Sequence, residues 1–287
     1  IHDFLGVIYD FSEPGKVKID MIDYVQQMLD DFSIQFNEKE KVANPATADL
    51  FDIGNGDAID ANKKKEFHTF VAKGLFLCGR ARPDIKQVIA LLCTRVQNPN
   101  QNDWDKLVRL MLFLHSTKLD KLILSVDDLH VIKWWIDASF AVHPDFKSHS
   151  GAAMSFGLGA PITGSQKQKL NTRSSTEAEL VGVDDFITKI LWTQLFMEEQ
   201  GYEVTKNVLY QDNKSAILLE KNGKRSSGKR TRALNIRYFF VTDQIEKGHL
   251  VVEHCPTGDM IADYMTKPLQ GKSFEKFRNL IMGYESV

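Results

Sequence analysis

The spacing of apolar positions changes character once along the chain, near residue 130. Before that point it is mainly helical. Phe4–Phe11 and Val17–Ile19 flank Ser12-Glu13-Pro14-Gly15, a turn sequence that predicts a hairpin. Asp20 then offers N-cap chemistry, and Ile22, Val25, Met28 and Leu29 recur at helical intervals toward Phe32. Ser33–Asn62 is polar, Asp-rich and weakly periodic, which predicts a loop. Three helices follow over Lys64–Gly79, Pro83–Gln97 and Asp103–Lys118, the second opening on a proline suited to a first turn. Lys118–Leu129 reads as a connector.

From Val131 strands and helices alternate. Val131–Asp137, Gly151–Phe156 and Ala160–Ser165 predict three strands. Ser174–Gln200 predicts a long helix whose apolar stripe is Ala178, Leu180, Val181, Ile187, Leu191, Leu195 and Phe196. A strand at Asn207–Gln211, helices at Lys214–Lys221 and Asn235–Lys247, a strand at Leu250–His254 and a helix at Met260–Lys267 complete the series. The expected fold is α/β, a mixed sheet with flanking helices over residues 130–287, preceded by a mainly helical region over 1–129.

Composition adds exclusions. The 287 residues are 43% hydrophobic and 26% charged, globular values with room for two cores. With 18 Gly and 8 Pro the chain is neither fibrous nor of low complexity. No uninterrupted apolar run approaches the roughly 20 residues of a membrane span, so no membrane partner is expected. No signal peptide is visible, and Ile1-His2-Asp3-Phe4 reads like the interior of a longer polypeptide. Cys78, Cys93 and Cys255 are odd in number and scattered, as buried thiols of an intracellular protein would be.

Net charge is -2, but its distribution is uneven. Residues 1–130 carry 16 Lys/Arg against 20 Asp/Glu, and residues 131–287 carry 20 against 18. Between Lys221 and Thr242 stand Lys221, Lys224, Arg225, Lys229, Arg230, Arg232 and Arg237 with no acid among them. Such a patch either contacts phosphates or is a solvated loop.

Four carboxylates sit where open α/β sheets place their chemistry. Asp137 closes the strand Ile132–Ile136, Asp212 closes Val208–Gln211, Glu179 lies early in the long helix, and Asp263 lies in the helix after the last strand. Converging, they would make a hard-oxygen site for Mg²⁺ or Mn²⁺. Two such ions about 3.5–4 Å apart can stabilise both the attacking and leaving oxygens of a phosphodiester. Each residue also has a plainer reading: Asp137 begins a turn, Glu179 completes a capping box with Thr176, Asp212 caps a helix, Asp263 is a solvated helix carboxylate. Ser174-x-x-Glu177 offers the capping box two residues earlier and would free Glu179.

Four ordered motifs carry a family resemblance: Asp137-Ala138-Ser139, Ser174-Ser175-Thr176-Glu177-Ala178-Glu179-Leu180, Tyr210-Gln211-Asp212-Asn213-Lys214-Ser215-Ala216 and Ala262-Asp263-Tyr264-Met265-Thr266-Lys267-Pro268-Leu269. The chain resembles the C-terminal part of the Pol polyprotein of copia-type LTR retrotransposons, where a ribonuclease H domain ends the reverse transcriptase. Upstream, Phe4-Leu5-Gly6, Ile22-Asp23-Tyr24-Val25, Arg80-Ala81-Arg82-Pro83-Asp84 and Trp104-Asp105-Lys106-Leu107 are similar to the end of that transcriptase.

The resemblance implies a ribonuclease H-like fold after a thumb and connection region. It implies Asp137, Glu179, Asp212 and Asp263 as catalytic metal ligands for two Mg²⁺ ions, with Mn²⁺ as a substitute. The implied reaction hydrolyses the RNA strand of an RNA–DNA hybrid to 3′-hydroxyl and 5′-phosphate ends. Selectivity would come from 2′-hydroxyl contacts and the wide minor groove of the hybrid. The implied partners are that hybrid and the remainder of Pol, and the implied location is a cytoplasmic virus-like particle. The polymerase motif Tyr-x-Asp-Asp is absent, so polymerisation is not expected of this chain. Ala233 stands where members often carry His, and His254 is the candidate for an auxiliary proton-transfer or product-release role. Two other classes stay open: a decayed copy that binds hybrid without cutting, and an integrase or transposase relative that cuts DNA. The late Asp263 and early Glu179 disfavour the last.

The basic tract yields the first prediction. Replacing Lys229, Arg230 and Arg232 with Gln is expected to weaken hybrid binding uniformly across sequences, and to flatten log affinity against log salt by about one unit per lost phosphate contact. An unchanged slope would assign the tract to a solvated loop.

Overall fold

The computed structural model describes residues 1–223 and 235–286, with only the backbone described for 235–239. The chain forms two compact units, Ile1–Ser125 with Pro268–Ser286, and Val126–Lys267. The sequence reading drew its boundary at 129/130 and kept the C-terminus with the second part; Pro268–Ser286 instead packs in the first unit.

In the first unit, β1 (His2–Phe4) and β2 (Val7–Asp10) form a hairpin through Leu5 and Gly6, both at positive φ, and β2 pairs antiparallel with β3 (Lys16–Asp20). Asp20 does not cap the following helix α1 (Ile22–Asp31) in the expected manner. Its N-cap residue is Met21, and buried Asp20 instead pairs with Lys121 at 2.8 Å. No helix or strand lies between Asp31 and α2 (Ala61–Cys78), which is capped by the Asp60 side chain. After a 3₁₀ turn at Pro83–Ile85 come α3 (Lys86–Cys93) and α4 (Gln101–Ser116), the latter held by an Asn100/Asp103 capping box. The stretch read as a connector contains β4 (Leu122–Val126), which pairs with β3; five residues after a helix end are too few for period-2 alternation to show.

The Arg80–Asp84 motif is structural. Buried Arg82 grips Asp84 through two hydrogen bonds of 2.9 Å, and Arg278 of α9 (Gly271–Met282) reaches the same carboxylate at 2.9 Å. The two guanidiniums outweigh burial and hold the Asp84 carboxyl below the ordinary carboxylate range.

The second unit is built on β5 (Val131–Ser139), β6 (His149–Ser155), the two-residue β7 (Gly157–Leu158), β8 (Ile162–Lys167), β9 (Lys206–Gln211) and β10 (Val251–His254). Its sheet runs β10-β9-β5-β6-β8, with β10, β9 and β5 parallel and β6 and β8 antiparallel. The helices are α5 (Ser175–Glu199), α6 (Lys214–Asn222), α7 (Asn235–Glu246) and the one-turn α8 (Asp263–Thr266). The mixed sheet with flanking helices is therefore present. Alternation along β5 turns Ile132, Trp134 and Ile136 into a core with Met154, Val183, Phe186, Ile190 and Leu209, and leaves Asp137 on the other face.

That other face is covered by α8. A Cβ on Gly151, the β6 partner of Asp137, would lie 2.5 Å from Thr266 Cγ2, 2.8 Å from Met265 Cβ and 3.0 Å from the Ala262 carbonyl. Only a missing side chain lets α8 lie this close. Gly151→Ala is expected to cost about 1–3 kcal/mol by overpacking, read as a lowered denaturant midpoint. An unchanged midpoint would show that α8 is loosely held.

Candidate active site

Parallel pairing of β5 and β9 sets the geometry. Trp135 lies opposite Tyr210, so the register continued two residues sets Asp137 beside Asp212, which follows the carboxyl end of β9. Strand β5 runs on to Ser139, so Asp137 is within the strand and not at its end as the sequence suggested. Glu179 enters from the first turns of α5.

The plainer readings of these residues fail one by one. Ser174 Oγ accepts from the Glu177 N–H at 3.2 Å, while the Glu177 carboxylate accepts from the Arg173 N–H at 2.6 Å. Capping is thus carried by Ser174 and Glu177, and Glu179 is spared. Asn213, not Asp212, caps α6, accepting from the Ser215 and Ala216 N–H groups. Asp137 and Asp263 are both buried, so neither is a turn or solvated-helix carboxylate.

Asp137, Glu179 and Asp212 each present one oxygen, and these oxygens lie within 4.8 Å of one another. Glu179 is buried, and its Oε2 meets no hydrogen-bond donor among the described residues. Burial, and then Asp137 and Asp212, push its pKa well above the usual carboxylate range. A buried, partnerless oxygen facing two more carboxylates is costly unless a cation joins it. All donors are hard oxygens, the set that fits Mg²⁺ or Mn²⁺.

Asp263 stands beside this triad and not within it. Its Oδ1 lies 2.6 Å from Lys267 Nζ, which is also 3.5 Å from Asp137 Oδ2. Burial and Asp137 raise the Asp263 pKa to about 7 against the opposing pull of Lys267. Burial alone would lower the Lys267 pKa, but Asp137, Asp263 and Asp212 outweigh it and keep the amine charged. Thr266 donates its hydroxyl to Asp137 Oδ2, and Thr257 donates to Asp212 Oδ2 at 2.9 Å.

A one-turn helix leaves its carbonyls without intrahelical partners. Here serines from the sheet satisfy them: Ser165 Oγ donates to the Met265 carbonyl at 2.8 Å and Ser139 Oγ to the Thr266 carbonyl at 3.0 Å. Since Ser165 spends its one proton on Met265, His149 Nε2, 2.7 Å away, must donate to Ser165. His149 Nδ1 then accepts from His143 Nε2 at 3.0 Å. Burial lowers both pKa values, to about 3 for His149 and about 4 for His143, so the pair is neutral.

The remaining candidates lie elsewhere. His254 ends β10 opposite Gln211, exposed, and is not part of the converging ligand set. Lys221 is exposed at the end of α6. Lys224, Arg225, Lys229, Arg230, Arg232 and Ala233 lie outside the described residues, as does the side chain of Arg237. Sequence reasoning missed Thr257, Thr266 and Lys267 as contacts of the carboxylates. Only Lys267 had a local signal, being the i+4 neighbour of Asp263.

Comparison with known proteins places this geometry in context. No family model matches the chain. The Pol polyprotein from transposon TNT 1-94 of Nicotiana tabacum is 29% identical over 201 residues, covering 70% of this chain and 15% of that protein. That from transposon RE1 of Arabidopsis thaliana is 31% identical over 202 residues, covering 70% and 14%. The Ty1-NL2 Gag-Pol polyprotein of Saccharomyces cerevisiae is 24% identical over 292 residues, covering 97% and 16%. Its homologues are retrotransposon Pol polyproteins. The chain thus spans about one sixth of the length of these Pol relatives or less. A solved ribonuclease H1 isolated from compost matches 47% of this chain and 92% of its own at 14% identity and a TM-score of 0.35, too distant a likeness to argue from. No described helix of this Pol relative is long and apolar enough to cross a membrane.

The raised carboxyl of Asp263 gives a signed pH prediction. Its folded pKa of about 7 exceeds its ordinary 3.8, so the stability it contributes is complete below about pH 4 and is lost as pH rises through about 7. In chelator, the melting temperature is expected to fall across that window, and Asp263→Asn should flatten the fall. Equal slopes in the two proteins would contradict the shift.

Proposed function

We propose that this chain is the ribonuclease H and adjoining thumb and connection part of a retrotransposon reverse transcriptase, hydrolysing the RNA strand of RNA–DNA hybrids with Mg²⁺ or Mn²⁺. The observation that carries this reading is the convergence of Asp137, Glu179 and Asp212, with a buried Glu179 oxygen lacking any donor. The similarity to Pol polyproteins supports a place in a retrotransposon Pol, and the resemblance carried by the sequence motifs implies the substrate class and the reaction type.

Asp137, Glu179 and Asp212 would hold an ion, with Asp263 completing a second position. When bound, divalent ions supply a lowered water pKa and stabilise charge developing on the phosphate. The chain's own residues position and exclude. Thr266 and Thr257 fix the rotamers of Asp137 and Asp212. The apolar packing around Ile136 and Val183 excludes water from behind the carboxylates. The tract Lys221–Arg237 would hold the phosphate backbone of the hybrid without reading its sequence. His254, exposed at the end of β10, is assigned no proton transfer in this reading. The remainder of Pol is the proposed partner, and a cytoplasmic particle the proposed setting.

Asp137→Asn or Asp212→Asn keeps the shape of the site and removes a negative ligand. Divalent-dependent cleavage of hybrid is expected to fall by orders of magnitude in each. Glu177→Gln, which touches only capping, should cost about 1 kcal/mol of stability and leave cleavage intact. Near-normal cleavage by Asp137→Asn would overturn the assignment.

A further inference from the structure

One cation already stands among the carboxylates. Lys267 Nζ lies 2.6 Å from Asp263 Oδ1 and 3.5 Å from Asp137 Oδ2. Its side chain is 39% exposed, whereas those of Asp137 and Asp263 are 2% and 8% exposed. The amine therefore reaches in from the solvent side toward oxygens that cannot move out. The preceding residue, Thr266, is tied to the same Asp137 oxygen, and its carbonyl is held by Ser139. The start of the lysine stem is thus anchored, and only its four-carbon arm is free to swing.

The three oxygens of Asp137, Glu179 and Asp212 form one cation position. Beside it, the Lys267 ammonium lies between Asp263 Oδ1 and Asp137 Oδ2. We propose that Lys267 is a resident counter-ion that occupies the second cation position of the metal-free protein, so that a second divalent ion enters only as Nζ withdraws. This rests on the metal-dependent reading above and adds to it a residue that sets ion affinity.

The physical case is one of exclusion. An ammonium and a divalent ion both need carboxylate oxygens at close range, about 2.0–2.6 Å for the ion. Held a few ångströms apart between Asp137 and Asp263, the two cations would repel each other, so each weakens the hold of the other. Without either cation, buried Asp137 and Asp263 would face each other as like charges. A flexible, hydrated ammonium is well suited to a reversible role, since its arm regains rotamer freedom on leaving. Fixed bidentate pairing of the kind arginine makes would be harder to displace.

The test is a Mn²⁺ titration of the full chain, followed by calorimetry and by loss of the free-ion resonance signal, above the raised carboxyl pKa. Wild-type protein is expected to take one ion at the triad and a second more weakly. Lys267→Gln should tighten the second step by about tenfold or more, because a positive charge a few ångströms from the ion is removed. It should also melt lower in chelator and recover with Mn²⁺. Lys267→Met, which keeps the stem, replaces it should the Gln variant not fold. Lys267→Arg keeps the charge and should keep the second step weak. Lys206→Gln removes an ammonium from a surface pair with Glu253 and should leave the isotherm unchanged. A second-ion affinity that is equal in wild type and Lys267→Gln, or as tight in Lys267→Arg as in Lys267→Gln, overturns the proposal. Asp212→Asn separates the two readings: it should abolish the first step, and if wild type shows no first step to abolish, it is the metal site itself that fails.

Discussion

Mutual repulsion among the converging carboxylates of β5, α5 and the end of β9 is the constraint to which the second unit is fitted. Two unit charges about 4 Å apart repel by about 4 kcal/mol at the effective dielectric of a protein near its surface. Asp137, Glu179 and Asp212 lie about that close, and two of them are buried. Such a cluster persists only if something offsets the charge. Three features of the chain do so: the proton affinity of Glu179 and Asp263 is raised, Lys267 supplies an ammonium, and Thr266 and Thr257 supply hydroxyl donors. The oxygens of the three converging carboxylates are a donor set that could hold a divalent ion.

Holding the fourth carboxylate in place is a separate problem, because α8 is a single turn with no packing length of its own. The sheet solves it with small polar residues. Ser139 and Ser165 take the carbonyls of Thr266 and Met265, and Gly151 lets the helix lie against β6. Behind Ser165, the neutral His149–His143 pair fixes the direction of the proton chain. The site therefore depends on residues that carry no charge and would draw no notice as ligands.

Much of the second unit was legible because its signals are local. Alternation through Ile132, Trp134 and Ile136, the first turns of the stripe along α5 (Ala178, Leu180, Val181, Ile187) and the cap at Ser174 all act within a few residues of sequence. By contrast, Leu195 and Phe196, read as part of the stripe, are exposed, and the cap of α6 is Asn213 and not Asp212. The order of those elements was enough to expect a mixed sheet. What sequence could not supply was long-range. β4 pairs with β3 across about a hundred residues, α9 joins the first unit through Arg278 and Asp84, and Lys267 meets Asp137 across the fold. The candidate carboxylates were visible as four separate residues; that three converge while Asp263 pairs with Lys267 beside them is a fact of tertiary geometry.

The most direct measurement is strand-resolved cleavage of a doubly labelled RNA–DNA hybrid by the purified chain, beside duplex DNA and duplex RNA, in Mg²⁺ and in chelator. The account predicts cutting of the RNA strand of the hybrid alone, and only with the divalent ion present. Cutting of duplex DNA, or hybrid cleavage that persists in chelator, would contradict it.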